Sequence, residues 1–294
     1  MDARTPILLD LDESVLPLTG AHAIARQGWQ DTLRFACRRR DLARFSHEVL
    51  AQLPAQHGTV MLGSGDYHHL SLPLIERLHG RPPFQLVVLD NHPDNMRFPF
   101  GMHCGSWVHA AAALPQVAHV HVLGITSNDI GLAHAWENHW APLRKGQLTY
   151  WCTDVDVRWA SRFGLGHAFR RFDTPEALVA TFAAEQARRP QPTYLSIDKD
   201  VFSPSVIRSN WDQGRFLRRD ALQVIAALRA GGLVGSDITG EVSQYTYRSR
   251  FKRLLSSLDG QPDIPSATLA DWQQQHQRVN RELLRAIAEL PVHG

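Results

Sequence analysis

The chain has 294 residues, 44% hydrophobic and 20% charged, with 31 Lys and Arg against 29 Asp and Glu for a net charge of +2. These values belong to a folded globular protein and exclude a disordered or fibrous one. The basic residues are scattered, as in Arg38–Arg40 and Arg218–Arg219, without the basic stripe and interleaved aromatics that nucleic acid requires.

Short apolar runs recur at Ile7–Leu11, Thr59–Leu62, Leu86–Leu89, Ala118–Gly124, Leu148–Cys152, Ala168–Phe172, Thr193–Ile197 and Leu233–Ile238. Most read as buried strands. Helical spacing fills the intervals at His22–Leu53, Ser71–His79, Ser106–Leu114, Leu132–Trp140, Pro175–Arg188 and Arg219–Ala230, several opened by Pro or a polar cap. Continuous apolar strands alternating with helices require right-handed crossovers, so an α/β chain is expected, with a mostly parallel sheet of about eight strands and helices on both faces. No linker interrupts the rhythm, and residues 1–294 read as a single domain. Asp259-Gly260-Gln261-Pro262-Asp263 marks a turn before a last amphipathic helix of about Ser266–Leu290, which would serve packing or a subunit contact in a homo-oligomer. No run approaches the roughly 18 apolar residues of a membrane span, and the N-terminus lacks a signal-peptide pattern, so a cytoplasmic protein without membrane partners is expected. Cys37, Cys104 and Cys152, odd in number and isolated, fit reduced thiols.

In open parallel sheets, ligands bind beyond the carboxyl ends of strands. Three dense polar clusters occupy such places. Asp90-Asn91-His92-Pro93-Asp94 follows Leu86–Leu89, and a side-chain period of two allows Asp90, His92 and Asp94 to share one side. Asp198-Lys199-Asp200 closes Thr193–Ile197 with two acids on one face and Lys199 sent the other way. If the two strand ends meet, four carboxylates crowd one pocket and call for divalent cations to neutralise them. Gly63-Ser64-Gly65-Asp66-Tyr67-His68-His69 follows Thr59–Leu62; no Lys-Ser/Thr follows its glycines, so metal ligation by the twin histidines is favoured over a phosphate loop. Asp154-Val155-Asp156 has similar spacing but no nearby His and reads as a solvated turn. Asp10-Leu11-Asp12 is similar to the aspartate pair of the haloacid-dehalogenase phosphatases, but Glu13-Ser14 stands where that family has Gly-Thr.

The three clusters, in order, resemble the ureohydrolase (arginase/agmatinase) superfamily, which reads Gly-Gly-Asp-His-Ser, then Asp-Ala-His-x-Asp, then Ser-x-Asp-x-Asp. The second and third motifs match closely as Asp90–Asp94 and Ser196-Ile197-Asp198-Lys199-Asp200. The resemblance implies a three-layer α/β/α sandwich, two Mn2+ ions, and a manganese-dependent hydrolase that attacks a C–N bond of a small guanidino or amidino compound through a metal-bridging hydroxide. By that likeness Asp90 and Asp198 bridge the ions, His92 and Asp200 complete one, and Asp94 with a first-motif histidine completes the other. That histidine is His68 or His69; the distance to the helix-opening Pro73 favours His68. Asp94 or Asp198 would orient the hydroxide, His103 would return a proton to the leaving amine, and Glu241 would hold the cationic group at the pocket rim. The first motif carries one extra residue, a Cys separates His103 from Gly105, and Arg208–Gly214 replaces the family's usual loop, where Trp211 and Asp212 would close the pocket. The chain reads as a divergent branch, with a deacetylase-like amide hydrolase and a non-catalytic metal-binding protein as alternatives.

Overall fold

A computed structural model describes residues 4–248, 252–253 and 264–293. The strands in chain order are β1 (Ile7–Asp10), β2 (His22–Ala25), β3 (Ala36–Cys37), β4 (Val60–Met61), β5 (Phe84–Leu89), β6 (Met102–His103), β7 (Val117–Ile125), β8 (Leu148–Thr153), β9 (Phe169–Phe172), β10 (Thr193–Asp198) and β11 (Leu233–Thr239). Nine of them form one sheet in the order β2-β1-β4-β11-β10-β5-β7-β8-β9, with every neighbouring pair parallel. All eight expected runs lie in it. Strands β3 and β6 pair separately and antiparallel.

The sheet's alternation divides the core. On one face Leu9, Leu62, Val88, Val122 and Tyr150 pack with Leu42 and Phe45 of α2 (Arg39–Glu48), Leu74 and Ile75 of α3 (Ser71–Glu76), and Val108 of α4 (Val108–Ala111). On the other, Leu8, Met61, Leu89, Leu123 and Ile197 meet Phe182 of α7 (Pro175–Arg188), Val224 of α8 (Arg218–Ala227) and Leu283 of the last helix, α9 (Ser266–Ala288). Each such side chain contributes about 1.5–3 kcal/mol by leaving water. The result is the three-layer α/β/α sandwich. The short helices α1 (Gln30–Leu33), α5 (Trp140–Arg144) and α6 (Trp159–Arg162) complete the chain order. No helix among the described residues is long and apolar enough to cross a membrane.

The segment His22–Leu53 is not one helix. It holds edge strand β2, then α1, β3 and α2. In β2 only Ile24 is buried, so a half-polar strand at the rim carries too weak an apolar signal to oppose a helical spacing. This ninth strand lengthens the expected sheet. Leu132–Trp140 likewise forms no α-helix, only a 3-10 turn at Ala135–Glu137 before α5. By contrast α7 coincides with its expected bounds, because Thr174 accepts a hydrogen bond from the Ala177 amide and Pro175 opens the first turn. The turn expected at Asp259–Asp263 lies outside the described residues.

Strands β4, β11, β10 and β5 are adjacent at the centre of the sheet. The three polar clusters leave the carboxyl ends of β4, β5 and β10 and are therefore delivered to one place.

Candidate metal centre

The loop after β4 turns through Gly63 at φ +87°, where a Cβ would stand 2.6 Å from an Asp12 carboxylate oxygen. Glycine alone fits. The chain then enters a 3-10 helix, Gly65–Leu70, capped by Ser64, whose Oγ accepts from the Asp66 amide. This turn sends the two histidines in opposite directions. His68 Nδ1 lies 2.8 Å from Asp94 Oδ2, 3.1 Å from Asp90 Oδ2 and 3.5 Å from Asp198 Oδ2. His69 instead turns its Nε2 to the Cys37 thiol at 3.6 Å, away from the carboxylates.

Asp90 follows β5 while its amide still donates to the Leu123 carbonyl of β7. The next residues leave the strand in a tight loop. The His92 amide donates to Asp90 Oδ1 at 2.6 Å, and the Asn91 amide donates to Asp200 Oδ1 at 3.0 Å. Asp94 adopts the left-handed region at φ +46°, a conformation aspartate tolerates better than most residues. Its Oδ2 accepts 2.7 Å from the Trp107 indole. His92 Nδ1 lies 2.9 Å from Asp200 Oδ2 and 3.6 Å from Asp90 Oδ1. Two compact groups result, His68 with Asp90 and Asp94, and Asp90 with His92 and Asp200, each with its ligand atoms within 4.8 Å of one another. Asp90 belongs to both.

A chain of hydrogen bonds fixes the His68 ring. Ser196 Oγ donates to Asp237 Oδ1 at 2.7 Å, leaving its lone pair for His68 Nε2–H at 3.0 Å. Asp237 also accepts from Ser71 Oγ and Tyr194 Oη. In the neutral ring, with its proton on Nε2, the Nδ1 lone pair of His68 faces carboxylate oxygens, which are acceptors as well. Among the described residues, buried His68 Nδ1 and Asp90 Oδ2 have no hydrogen-bond partner. Acceptors turned on one another in a buried site are satisfied by a cation. The donor set fits a divalent ion.

The electrostatics agree. Burial and the Asp90 charge push Asp94 up to about 7, and burial pushes Asp198 up to about 6. Asp200 is raised well above the carboxylate range by burial and by Asp198 and Asp90. The imidazoles of His68 and His92 are drawn up by the same acids, against the effect of burial. Asp90, between both rings, is held below the usual range despite its burial. Crowded like charges with too few cations have this signature.

The two groups form the floor of a cleft of about 810 Å3 whose walls include Phe35, Phe98, Phe100, His103, Trp211 and Asp212. Asp212, from the replaced loop, supports His92: its Oδ1 lies 2.6 Å from Nε2, and its Oδ2 accepts from Asn91 Nδ2 at 3.1 Å. The sequence marks Asp212 as a loop residue but carries no sign of this pairing. Trp107 on Asp94 is equally hidden. His103 stands on the wall, packed edge-on against Phe35 with ring centroids 4.4 Å apart. Its Nδ1 accepts from the Gly105 amide at 2.9 Å, and burial pushes its pKa down to about 4. The ring is thus neutral at physiological pH, with its proton at Nε2.

Glu241 does not reach the pocket rim. It ion-pairs with Lys199, accepts from Asn280 Nδ2 at 2.7 Å, and lies 3.2 Å from His276 Nδ1. The reason lies in the 198–200 segment. Asp198 and Asp200 turn to the cleft, so Lys199 points through the other side, and its buried ammonium requires an acid. Gly240 at φ +85° lets the end of β11 pass beside Asp198; a Cβ there would stand 2.3 Å from Asp198 Oδ1. Burial would raise Glu241, but Lys199 and His276 outweigh it and hold the carboxyl at about 2. The other acid pairs are also engaged elsewhere. Asp12 pairs with buried Arg34 at 3.3 Å, Asp10 accepts from Gln27 Nε2, and Asp156 pairs with Arg158 in solvent.

The fold and the family have counterparts among known proteins. The family model described as the arginase family matches residues 27–250. An uncharacterized protein of Thermotoga maritima is 28% identical over 194 residues, 66% of this chain; the match spans 62% of that relative's length. Among solved structures, agmatine ureohydrolase of Thermoplasma volcanium superposes with a TM-score of 0.54 at 12% identity, covering 96% of this chain and 89% of its own. A variant of Trypanosoma cruzi formiminoglutamase solved with Mn2+ gives 0.52 at 13% identity, covering 99% and 95%. At such identities the superpositions speak for the fold, and the family match speaks for descent: this chain belongs to the arginase family.

Proposed function

We propose that this protein is a divalent-metal hydrolase that cleaves a non-peptide C–N bond of a small molecule. The observation that carries the reading is the pair of His/Asp groups sharing Asp90 on the cleft floor. His68, Asp90, Asp94 and Asp198 would hold one ion, and Asp90, His92, Asp198 and Asp200 the other. Manganese suits a set rich in carboxylates, with two imidazoles and no thiolate, and the formiminoglutamase variant was solved with it. When bound, such ions supply Lewis acidity and activate water.

The chain's own residues do the rest. The Ser196–Asp237 relay holds the His68 ring in one tautomer, and Trp107 holds Asp94. Asp94 would accept a proton from the attacking water and orient it. His103, neutral and with Nδ1 committed to the Gly105 amide, would hold an Nε2–H hydrogen bond on the leaving nitrogen or its neighbour, and the proton that Asp94 takes from the water would pass on to the leaving nitrogen. Cys37, Cys104 and Cys152 are buried and form no disulfide among the described residues, which supports a reducing, cytoplasmic setting.

Kinship favours a guanidino or amidino substrate. A second reading, hydrolysis of a neutral amide, is favoured by one observation: the acid expected to receive a cationic group is already neutralised by Lys199. Elemental analysis of chelator-free protein, followed by a manganese-supplemented screen of guanidines, amidines and amides for released amine, urea or ammonia, tests the proposal. About two ions per chain with turnover of one class supports it. A chain that binds no divalent metal, or binds it and hydrolyses none of the three classes, contradicts it.

A further inference from the structure

The indole nitrogen of Trp211 is a buried donor without a hydrogen-bond partner among the described residues. Buried N–H groups are seldom left so, and one in a cleft wall marks a place for an acceptor. The ring is held from several sides. Its backbone amide donates to Ser209 Oγ at 3.1 Å, Ser209 Oγ returns a hydrogen bond to the Trp211 carbonyl, and the flanking Asn210 and Asp212 are tied to the Ser243 amide and to His92. The ring lies nearly parallel to Phe35, 10° between planes and 6.0 Å between centroids, and sits edge-on to His92 at 6.2 Å.

Its edge overlooks the acid floor. A Cβ on Gly65 would meet Trp211 Nε1 at 3.4 Å and Asp198 Oδ2 at 3.2 Å, so the indole edge and the Asp198 carboxylate converge on the same bare backbone. Phe35, Phe98 and Phe100 add an apolar wall to the cleft. A protonated guanidine or amidine carries donors only, and would set N–H against N–H here. Glu241, which could have drawn such a cation in, is spent on Lys199.

We infer that the Trp211 indole N–H donates to a carbonyl oxygen of the substrate, so that the cleft selects a neutral, flat carboxamide or ureide over a guanidinium. The inference rests on the hydrolase reading above and narrows its substrate class. Trp211 acts as a specificity residue.

Benzamide and benzamidinium have nearly the same shape and differ at the atom facing the indole. Their affinities for manganese-loaded protein should be measured by calorimetry in the wild type and in Trp211→Phe, which keeps a ring against Phe35 and removes the donor. The variant should bind benzamide about fivefold more weakly and benzamidinium unchanged, the latter serving as a check on pocket integrity. In magnesium-loaded wild type, the indole N–H resonance missing from Trp211→Phe should move on adding benzamide. Wild-type preference for benzamidinium, equal losses for both probes, no loss for benzamide, or an unmoved resonance would each overturn the inference. Elemental analysis of the same samples reads the metal proposal separately: absent metal sinks that reading, while the Trp211 comparison rests on binding and not on turnover.

Discussion

Two buried clusters of charged side chains lie on opposite sides of Asp198-Lys199-Asp200, and they handle charge in opposite ways. On the cleft side, Asp90, Asp94, Asp198 and Asp200 face only two imidazoles, and three of the four carboxyls are pushed upward. On the far side, Glu241 meets Lys199, Asn280 and His276, and its carboxyl is held at about 2. Both clusters are buried, so the difference is one of partners. The far cluster balances itself and locks α9, through His276 and Asn280, onto the end of the sheet. The cleft cluster is left with excess negative charge that an added cation relieves. The same acid type is structural where the chain supplies its own cation and available for chemistry where it does not.

The comparison can be broken from either side. The largest effect is expected from Asp90→Ala, which should remove both bound ions, whereas His92→Ala should remove mainly one; equilibrium dialysis with manganese distinguishes them, and two ions retained by Asp90→Ala would refute the sharing. Next, Lys199→Met should cost about 3–5 kcal/mol in urea unfolding because it strands a buried carboxylate. The double variant Lys199→Met with Glu241→Leu should recover at least half of that loss and still bind metal. Equal losses in the single and double variants would show that the pair is not the source of the cost.

The far cluster also carries a pH signature. Glu241 sits at about 2 in the folded chain against an ordinary 4.5, so its contribution is fully present above about 4.5 and is lost as pH falls toward 2. Unfolding free energy should therefore drop less steeply between pH 5 and 2 in the double variant than in the wild type. On the cleft side, Asp212→Asn should weaken the His92 ion by about ten- to a hundredfold, as loss of an orienting carboxylate does. Smallest of all, His69→Gln should leave metal content unchanged, while His68→Gln should lose one ion.

Much of this was legible in the sequence, for physical reasons. Strands buried on both faces are continuous apolar runs and could be read, and β9, with only Phe169 buried, still shows two phenylalanines, while half-polar β2 offers Ile24 alone. The acid and histidine motifs are local, and their meeting follows from the strand ends that carry them. What escaped was long-range. Alternation sends Lys199 away from the cleft and asks for an acid on the other side, yet nothing in the chain between residues 199 and 241 says that Glu241 is that acid. The Trp107 hydrogen bond to Asp94 and the Asp212 contact with His92 depend on loop conformations that no periodicity records.

We propose that the cleft floor is a two-ion centre built around Asp90. Anomalous diffraction at the manganese edge from crystals grown with Mn2+ tests it most directly. Two peaks about 3.5–4 Å apart are expected, both in contact with Asp90, one beside His68 and one beside His92. A cleft without a peak, or peaks that leave Asp90 uncoordinated, would contradict it.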